Sequence, residues 1–300
     1  MGRADQLLPV DRTQPRVIEG LPPLTDEMRA RLTIREEHAP LDGAPDVRLV
    51  VYRPVDGRDV KPVVLSIHGG AFCFLSPDDM AGVDAEMALD HDAVVVAVDY
   101  RLAPEHPFPA APEDCYAALL WTIERAGDLG IDIDRLAVSG GSAGGALSAA
   151  LCLMARDRGG PRIAYQVLTI PVVDDRLDTP SMRQCVENPG FATAQAEGMW
   201  LHYLGEDHDR AATSPYAAPA RAAGLAGLPP AFILTGGLDP LRDEGLQYGL
   251  RLLAEGVSVE LHNVPGAYHG APALDVAAQL RGRAAMRGAL GDALNAPSPS

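Results

Sequence analysis

Three hundred residues with 41 acidic and 25 basic side chains carry a formal net charge of −16 and an isoelectric point near 4.8. Such a chain repels phosphate, which excludes general nucleic-acid binding and docking on an anionic membrane. A 47% apolar composition excludes a disordered polymer, and no run approaches the twenty apolar residues of a membrane-spanning helix.

The first residues, 1–16, alternate charge and proline and lack the apolar centre of a signal peptide. Cys73, Cys115, Cys152 and Cys185 form no CxxC pair, so four reduced thiols in a cytoplasmic protein are expected. Residues 1–45 precede the first clear strand and hold one helix-like piece, 25–37. Short β-branched runs then predict strands at 47–52, 62–67, 93–99, 135–139, 163–170, 231–235 and 257–263. Between them, Tyr116, Leu119, Leu120 and Ile123 mark one stripe of a helix. Leu246, Leu250 and Leu253 mark another, with Gly256 as its cap. The interval 174–228 is too long for a bare loop and is expected to fold as an insertion, with a helix around 194–204. A low-complexity tail covers 295–300. Strands alternating with helices predict an α/β fold, a mostly parallel twisted sheet with helices on both faces.

The chemistry centres on Ser139-Gly140-Gly141-Ser142-Ala143-Gly144-Gly145. A GxSxG between a strand and a helix is the turn that exposes a nucleophilic serine, here Ser142. A serine nucleophile needs a base and a group that orients the base. His262 lies inside a predicted strand, whereas His269 lies in the loop beyond it, where open α/β sheets place their sites. His269 is therefore the expected base. Asp239, at the tip of strand 231–235, is the expected acid. Its competing role is a helix cap before Pro240, and Asp174 and Asp175 are the other geometric option. The oxyanion of acyl transfer needs preorganised amides. The loop His68-Gly69-Gly70-Ala71-Phe72 follows a strand directly, which offers Gly69, Gly70 and Ala71, with Ala143 after the nucleophile.

These motifs, together with Asp99-Tyr100-Arg101-Leu102-Ala103-Pro104-Glu105-His106, Phe108-Pro109-Ala110-Ala111, Ser214-Pro215-Tyr216, Asp239-Pro240-Leu241-Arg242-Asp243-Glu244 and Tyr268-His269-Gly270, resemble the hormone-sensitive-lipase-like branch of the α/β-hydrolase carboxylesterases. The resemblance spans about residues 60 to 270 in one order. It implies a triad of Ser142, Asp239 and His269 and oxyanion amides at Gly70, Ala71 and Ala143. It also implies a helical cap built from 1–45 and 174–228 over a catalytic domain of 46–173 and 229–294. Two departures stand out. Ala71 replaces a glycine of the oxyanion loop, and Gly141 stands before the serine, where the branch usually has Asp.

The expected function is hydrolysis of small-molecule esters with short to medium acyl chains, without a metal or cofactor. Phe72, Phe74, Phe191, Met199 and Trp200 are candidates to line the acyl pocket. Cys73 borders the oxyanion loop. A deacetylase or lactonase of one metabolite would use the same triad, and a ligand-binding protein on this fold is the remaining alternative. No nucleic-acid or membrane partner is expected, and exposed strand edges and helices allow a homodimer.

Overall fold

The computed structural model describes Val10, residues 21–270, Leu274 and residues 276–296. Apart from Val10, the N-terminal stretch 1–16 lies outside them, as does most of the tail. Among the described residues, eight strands form one sheet: β1 Leu32–Ala39, β2 Val47–Pro54, β3 Lys61–Ile67, β4 Val94–Asp99, β5 Ile131–Gly141, β6 Tyr165–Thr169, β7 Ala231–Gly236 and β8 Val259–Val264. Their spatial order is β1-β2-β4-β3-β5-β6-β7-β8. β1, β2 and β4 pair antiparallel, and every pair from β4–β3 to β7–β8 is parallel.

The helices are α1 Asp26–Arg31, α2 Ala81–His91, α3 Ala110–Glu124, α4 Ala126–Leu129, α5 Ala143–Asp157, α6 Pro180–Gln184, α7 Thr193–Leu204, α8 Arg242–Ala254 and α9 Val276–Asn295. Alternation along the central strands divides them between two layers. Leu65, Ile67, Val138 and Leu168 face the layer of α3, α5 and α8. Val64, Ala137 and Val167 face the layer of α2 and α9. Both faces of β3 and β4 are covered, so their sequences are nearly unbroken in valine and leucine. None of the described helices is long and apolar enough to cross a membrane. All four cysteines are buried and none forms a disulfide.

Three local expectations are corrected. The helix over 25–37 ends at Arg31, and Leu32–Ala39 is the edge strand β1. Only Leu32 and Ala39 of that strand are buried. Its charged residues suit a solvent-facing edge as well as a helix, and pairing with β2 decides between them. On α3, Leu120 is exposed, and Cys115, Ala118, Leu119 and Trp121 form the buried side. On α8, Leu250 and Leu253 face outward, and Gly245, Tyr248, Gly249 and Leu252 pack inward. A Cβ on Gly249 would lie 3.2 Å from both Ile233 and Leu261, so the helix brings its small residues to the sheet.

The chain leaving β4 is tied to α3 by charge. The Arg101 guanidinium donates to both oxygens of Asp114, at 2.7–3.0 Å, and the Arg101 amide donates to Oδ2 at 2.8 Å. Asp114 is fully buried. Removing its partner strands a carboxylate in the interior, a loss of about 3–5 kcal/mol. Arg101→Ala is therefore expected to lower the unfolding free energy by about that much in urea. Arg158→Ala, which breaks the half-exposed pair with Glu113, is expected to cost no more than about 1 kcal/mol. Equal losses in the two variants would contradict this reading.

Candidate active site

The serine turn rests on backbone contact. β5 ends at Gly141, Ser142 takes φ 57° and ψ −119°, and α5 begins at Ala143. That conformation is strained for a residue with a side chain and holds only where the surroundings determine it. The Ser142 amide donates to the Thr169 carbonyl at 2.9 Å, and its carbonyl accepts from Ala146 and Val172. A Cβ on Gly144 would stand 2.0 Å from the Ile67 carbonyl oxygen, and one on Gly140 would stand 2.3 Å from that of Gly144. Only glycine lets α5 start this close to the end of β3.

The same packing sets the loop after β3 beside the serine. Gly69, Gly70 and Ala71 line one cavity with Ser142 and His269. Ala143 is buried at the helix start and does not line it. None of the amides of Gly69, Gly70, Ala71 and Ala143 donates to a carbonyl among the described residues. Tyr100 holds the loop from behind, its hydroxyl donating to the carbonyls of His68 at 3.0 Å and Gly69 at 3.1 Å. Its ring stacks on His68 at 4.1 Å. Ala71 sits at φ 56°, in the left-handed region that favours glycine.

The other two triad candidates meet Ser142. His269 Nε2 lies 2.8 Å from Ser142 Oγ, and His269 Nδ1 lies 2.8 Å from Asp239 Oδ2. Asp239 is fully buried, and its Oδ1 accepts the Leu241 amide at 2.8 Å. Asp239 thus fills both roles considered for it, fastening the entry to α8 with one oxygen and His269 with the other. The loops that carry them are hydrogen-bonded together: the amides of Gly237 and Leu238 donate to the carbonyls of Val264 and Ala267. Asp174 and Asp175 are engaged elsewhere, with Arg176 and Arg221. His262 pairs with Glu260.

The cavity, about 730 Å³, has two kinds of wall. Phe74, Leu75, Gly190 and Phe191 form one part of the lining, with the Phe191 ring 4.5 Å from that of His269. Another part is made by Ser66, Ser139, Gly141 and Thr169 from the strand ends with Met80, Val83, Met87 and Met286 from the helical layer. Of the five residues proposed for the pocket, Phe74 and Phe191 line it. Phe72, Met199 and Trp200 do not. They are buried together in the packing of α7, where Phe72 stacks on Tyr203 at 3.7 Å. Cys73 is buried with Phe74 and Ala103, away from reagents in solution. The sequence reading missed Tyr100 and the α2 wall. The spacing of Met80, Val83 and Met87 is one helical stripe and was the available signal.

The alpha/beta hydrolase fold family matches residues 64–273. The chain belongs to that family. It falls in the hormone-sensitive-lipase-like branch. It is 40% identical over 291 residues to the carboxylesterase NlhH of Mycobacterium tuberculosis, covering 94% of this chain and 89% of that one. To the esterase LipI of the same organism it is 44% identical over 209 residues, covering 70% of this chain and 65% of LipI. A bacterial heroin esterase superposes with a TM-score of 0.86 at 44% identity, over 89% of this chain and 86% of that one.

Two buried groups beside the site titrate in opposite senses. Burial pushes His68 down to about 4, against an ordinary value of 6.5. The unfolded chain therefore binds that proton first, and stability from His68 is full above pH 6.5 and lost toward pH 4, about 3 kcal/mol in all. Burial pushes Asp84 up to about 7, against 3.8. Its contribution is full at low pH and is lost as pH rises through 7, about 4 kcal/mol. The two slopes oppose each other between pH 4 and 6.5. Asp84→Asn removes one of them, so urea unfolding of that variant is expected to lose stability on acidification more steeply than wild type. Parallel curves would refute the assignment. For the oxyanion loop, Tyr100→Phe is expected to lower kcat about ten- to a hundredfold with KM little changed, because the amides lose their fixed aim.

Proposed function

We propose that this chain is a serine carboxylesterase that acts through an acyl-enzyme on Ser142 and takes small-molecule esters with short to medium acyl chains. By its family and relatives the chain is a carboxylic ester hydrolase. The observation that carries the proposed mechanism is the continuous relay of 2.8 Å contacts from Ser142 Oγ through His269 to the buried Asp239.

In this mechanism the ester carbonyl sits between Ser142 Oγ and the amides of Gly70, Ala71 and Ala143. His269 Nε2 takes the serine proton as Oγ attacks, and Asp239 stabilises the imidazolium that forms. The amides hold the negative oxygen of the tetrahedral intermediate. His269 returns the proton to the departing alcohol, leaving the acyl group on Ser142. Water then enters and attacks the acyl carbonyl as His269 takes its proton, and His269 passes that proton to Ser142 Oγ as the acid leaves. Residues 174–228 act as the cap in this reading, supported by Phe191 resting against His269; of the segment 1–45 expected to join them, 32–39 lie in the sheet as β1. Four buried thiols without a disulfide fit a cytoplasmic enzyme, and exposed Leu250 and Leu253 near edge strand β8 fit a homodimer.

Hydrolysis of p-nitrophenyl esters from acetate to laurate tests the reading. Wild type is expected to be fastest on short and medium chains, and Ser142→Ala to lose about a millionfold in kcat. A Ser142→Ala variant that kept more than a few per cent of the activity would sink the mechanism. If no ester in the series is turned over, a fluorophosphonate that labels Ser142 indicates a competent nucleophile with a narrower substrate, and one that leaves it unlabelled favours a binding protein.

A further inference from the structure

The cavity continues from Ser142 into the space between the sheet and α2. Ser66 lines it on the β3 side, and Met80, Val83 and Met87 line it on the other. Asp84 follows Val83 and lies one helical turn from Met80 and Met87; it sits behind this wall, joined to the cavity through Ser66, and does not itself line it. It is 1% exposed, and Ser66 Oγ donates to its Oδ1 at 2.6 Å. Its second oxygen, Oδ2, has no hydrogen-bond partner among the described residues, and no arginine or lysine there pairs with it. An ionised carboxylate accepts about four hydrogen bonds, so one donor leaves this group far from satisfied.

Apolar walls that end on a serine whose proton is held by a buried carboxylate suit a chain that is apolar along its length and carries a donor at its tip. We propose that Ser66, its proton held by Asp84, recognises a hydroxyl group at the far end of the substrate arm entering this cavity, so that the enzyme prefers ω-hydroxylated medium-chain esters to their plain alkyl counterparts. The proposal rests on the esterase reading above and names the substrate class for that site. The hydroxyl donates to Ser66 Oγ, which accepts because its own proton is given to Asp84, and this offsets the desolvation that would penalise the hydroxyl in a wholly apolar pocket. Burial pushes the Asp84 carboxyl up to about 7, and the Ser66 hydroxyl donating to Oδ1 favours its ionised form. The reach is set by the strands. Ser66 pairs with Ser139, which precedes Ser142 by three residues. That distance of about 10 Å along a strand suits an arm of about six to eight carbons.

The test is a ratio of kcat/KM values, hydroxylated over plain, measured separately for each arm of the ester. For the acyl arm the pairs are p-nitrophenyl ω-hydroxyhexanoate and hexanoate, then ω-hydroxyoctanoate and octanoate. For the alcohol arm the pair is hexanediol monoacetate and hexyl acetate, followed by acid release. Wild type is expected to favour the hydroxylated ester about tenfold or more in one arm, and Ser66→Ala and Asp84→Leu to bring that ratio below one. A merely structural tie between α2 and β3 would slow both members of a pair alike and leave the ratio unmoved. If Asp84→Leu does not fold, Ser66→Ala carries the same comparison. Alkyl preference in both arms of wild type, or a hydroxyl preference untouched by the substitutions, overturns the proposal. Wild type that fails even on p-nitrophenyl acetate, too short to reach Ser66, strikes instead at the esterase reading.

Discussion

The closest backbone approach in the site lies where the first turn of α5 meets the last carbonyls of β3. Gly144 stands so near the Ile67 and His68 carbonyls that even a methyl group would overlap them. β3 and β5 are parallel neighbours with Ile67 opposite Gly140, so both strands end at the same height and both release their chains there. One release is the loop that carries the candidate oxyanion amides, and the other is the turn at Ser142. Their mutual placement follows from main-chain contact, which is stiffer than any pair of side chains. The same geometry separates the glycines of the motif. Positions 140 and 144 admit no side chain, whereas a Cβ on Gly141 meets only Thr169, at 3.0 Å from Oγ1 and 3.8 Å from the carbonyl oxygen. Position 141 is thus the one where this chain could depart from the branch without losing the turn.

Around that fixed point the buried carboxylates are sorted by what satisfies them. Asp239 spends one oxygen on a backbone amide and the other on His269. Asp175 answers Arg221, and its carbonyl accepts from Arg210, which joins the start of residues 174–228 to their later part, while Asp174 pairs locally with Arg176. Glu244 accepts the amides of Val173 and Asp174 through one oxygen, fastening the exit of β6 to α8. It and Asp84 each leave an oxygen without a partner among the described residues, and both are pushed toward the neutral form by burial. Only Asp84 is joined to a serine that lines the cavity. Chemical identity is the same across this set, and partner geometry decides which group orients a base, which holds a loop and which holds the proton of a serine on the cavity wall.

The parallel core was legible because strands covered on both faces have little choice but valine, leucine and isoleucine. The turn at Ser142 and the positions of Asp239 and His269 were legible because strand ends and glycines carry strong local signals. β1 was not, since an edge strand rich in Arg35, Glu36 and Glu37 carries no pattern distinct from a charged helix. The face of α8 was misread for a related reason. Hydropathy points to Leu246, Leu250 and Leu253, but close approach to β7 and β8 selects Gly245 and Gly249. Phe72, Met199 and Trp200 illustrate the same limit: apolar residues near a site in sequence can pack on one another instead of on a substrate. Which way a side chain is turned depends on contacts distant in sequence, and these leave no local trace.

The cavity has its origin in the two-residue period of the strands. Toward α3, α5 and α8 the ends of β3, β5 and β6 present Leu65, Ile67, Val138 and Leu168, which fill their layer. Toward α2 and α9 the alternate positions are Ser66, Ser139, Gly141 and Thr169, all small. A layer that stands about 10 Å from the sheet cannot close over such short side chains, so space remains on that face and opens at Ser142. The long, flexible side chains of Met80, Met87 and Met286 line that space without dividing it. Nucleophile and cavity thus arise from one stretch of each strand, with alternate residues building the core and the binding space. Substitutions at the small positions should therefore reshape substrate choice while leaving the opposite, tightly packed face intact.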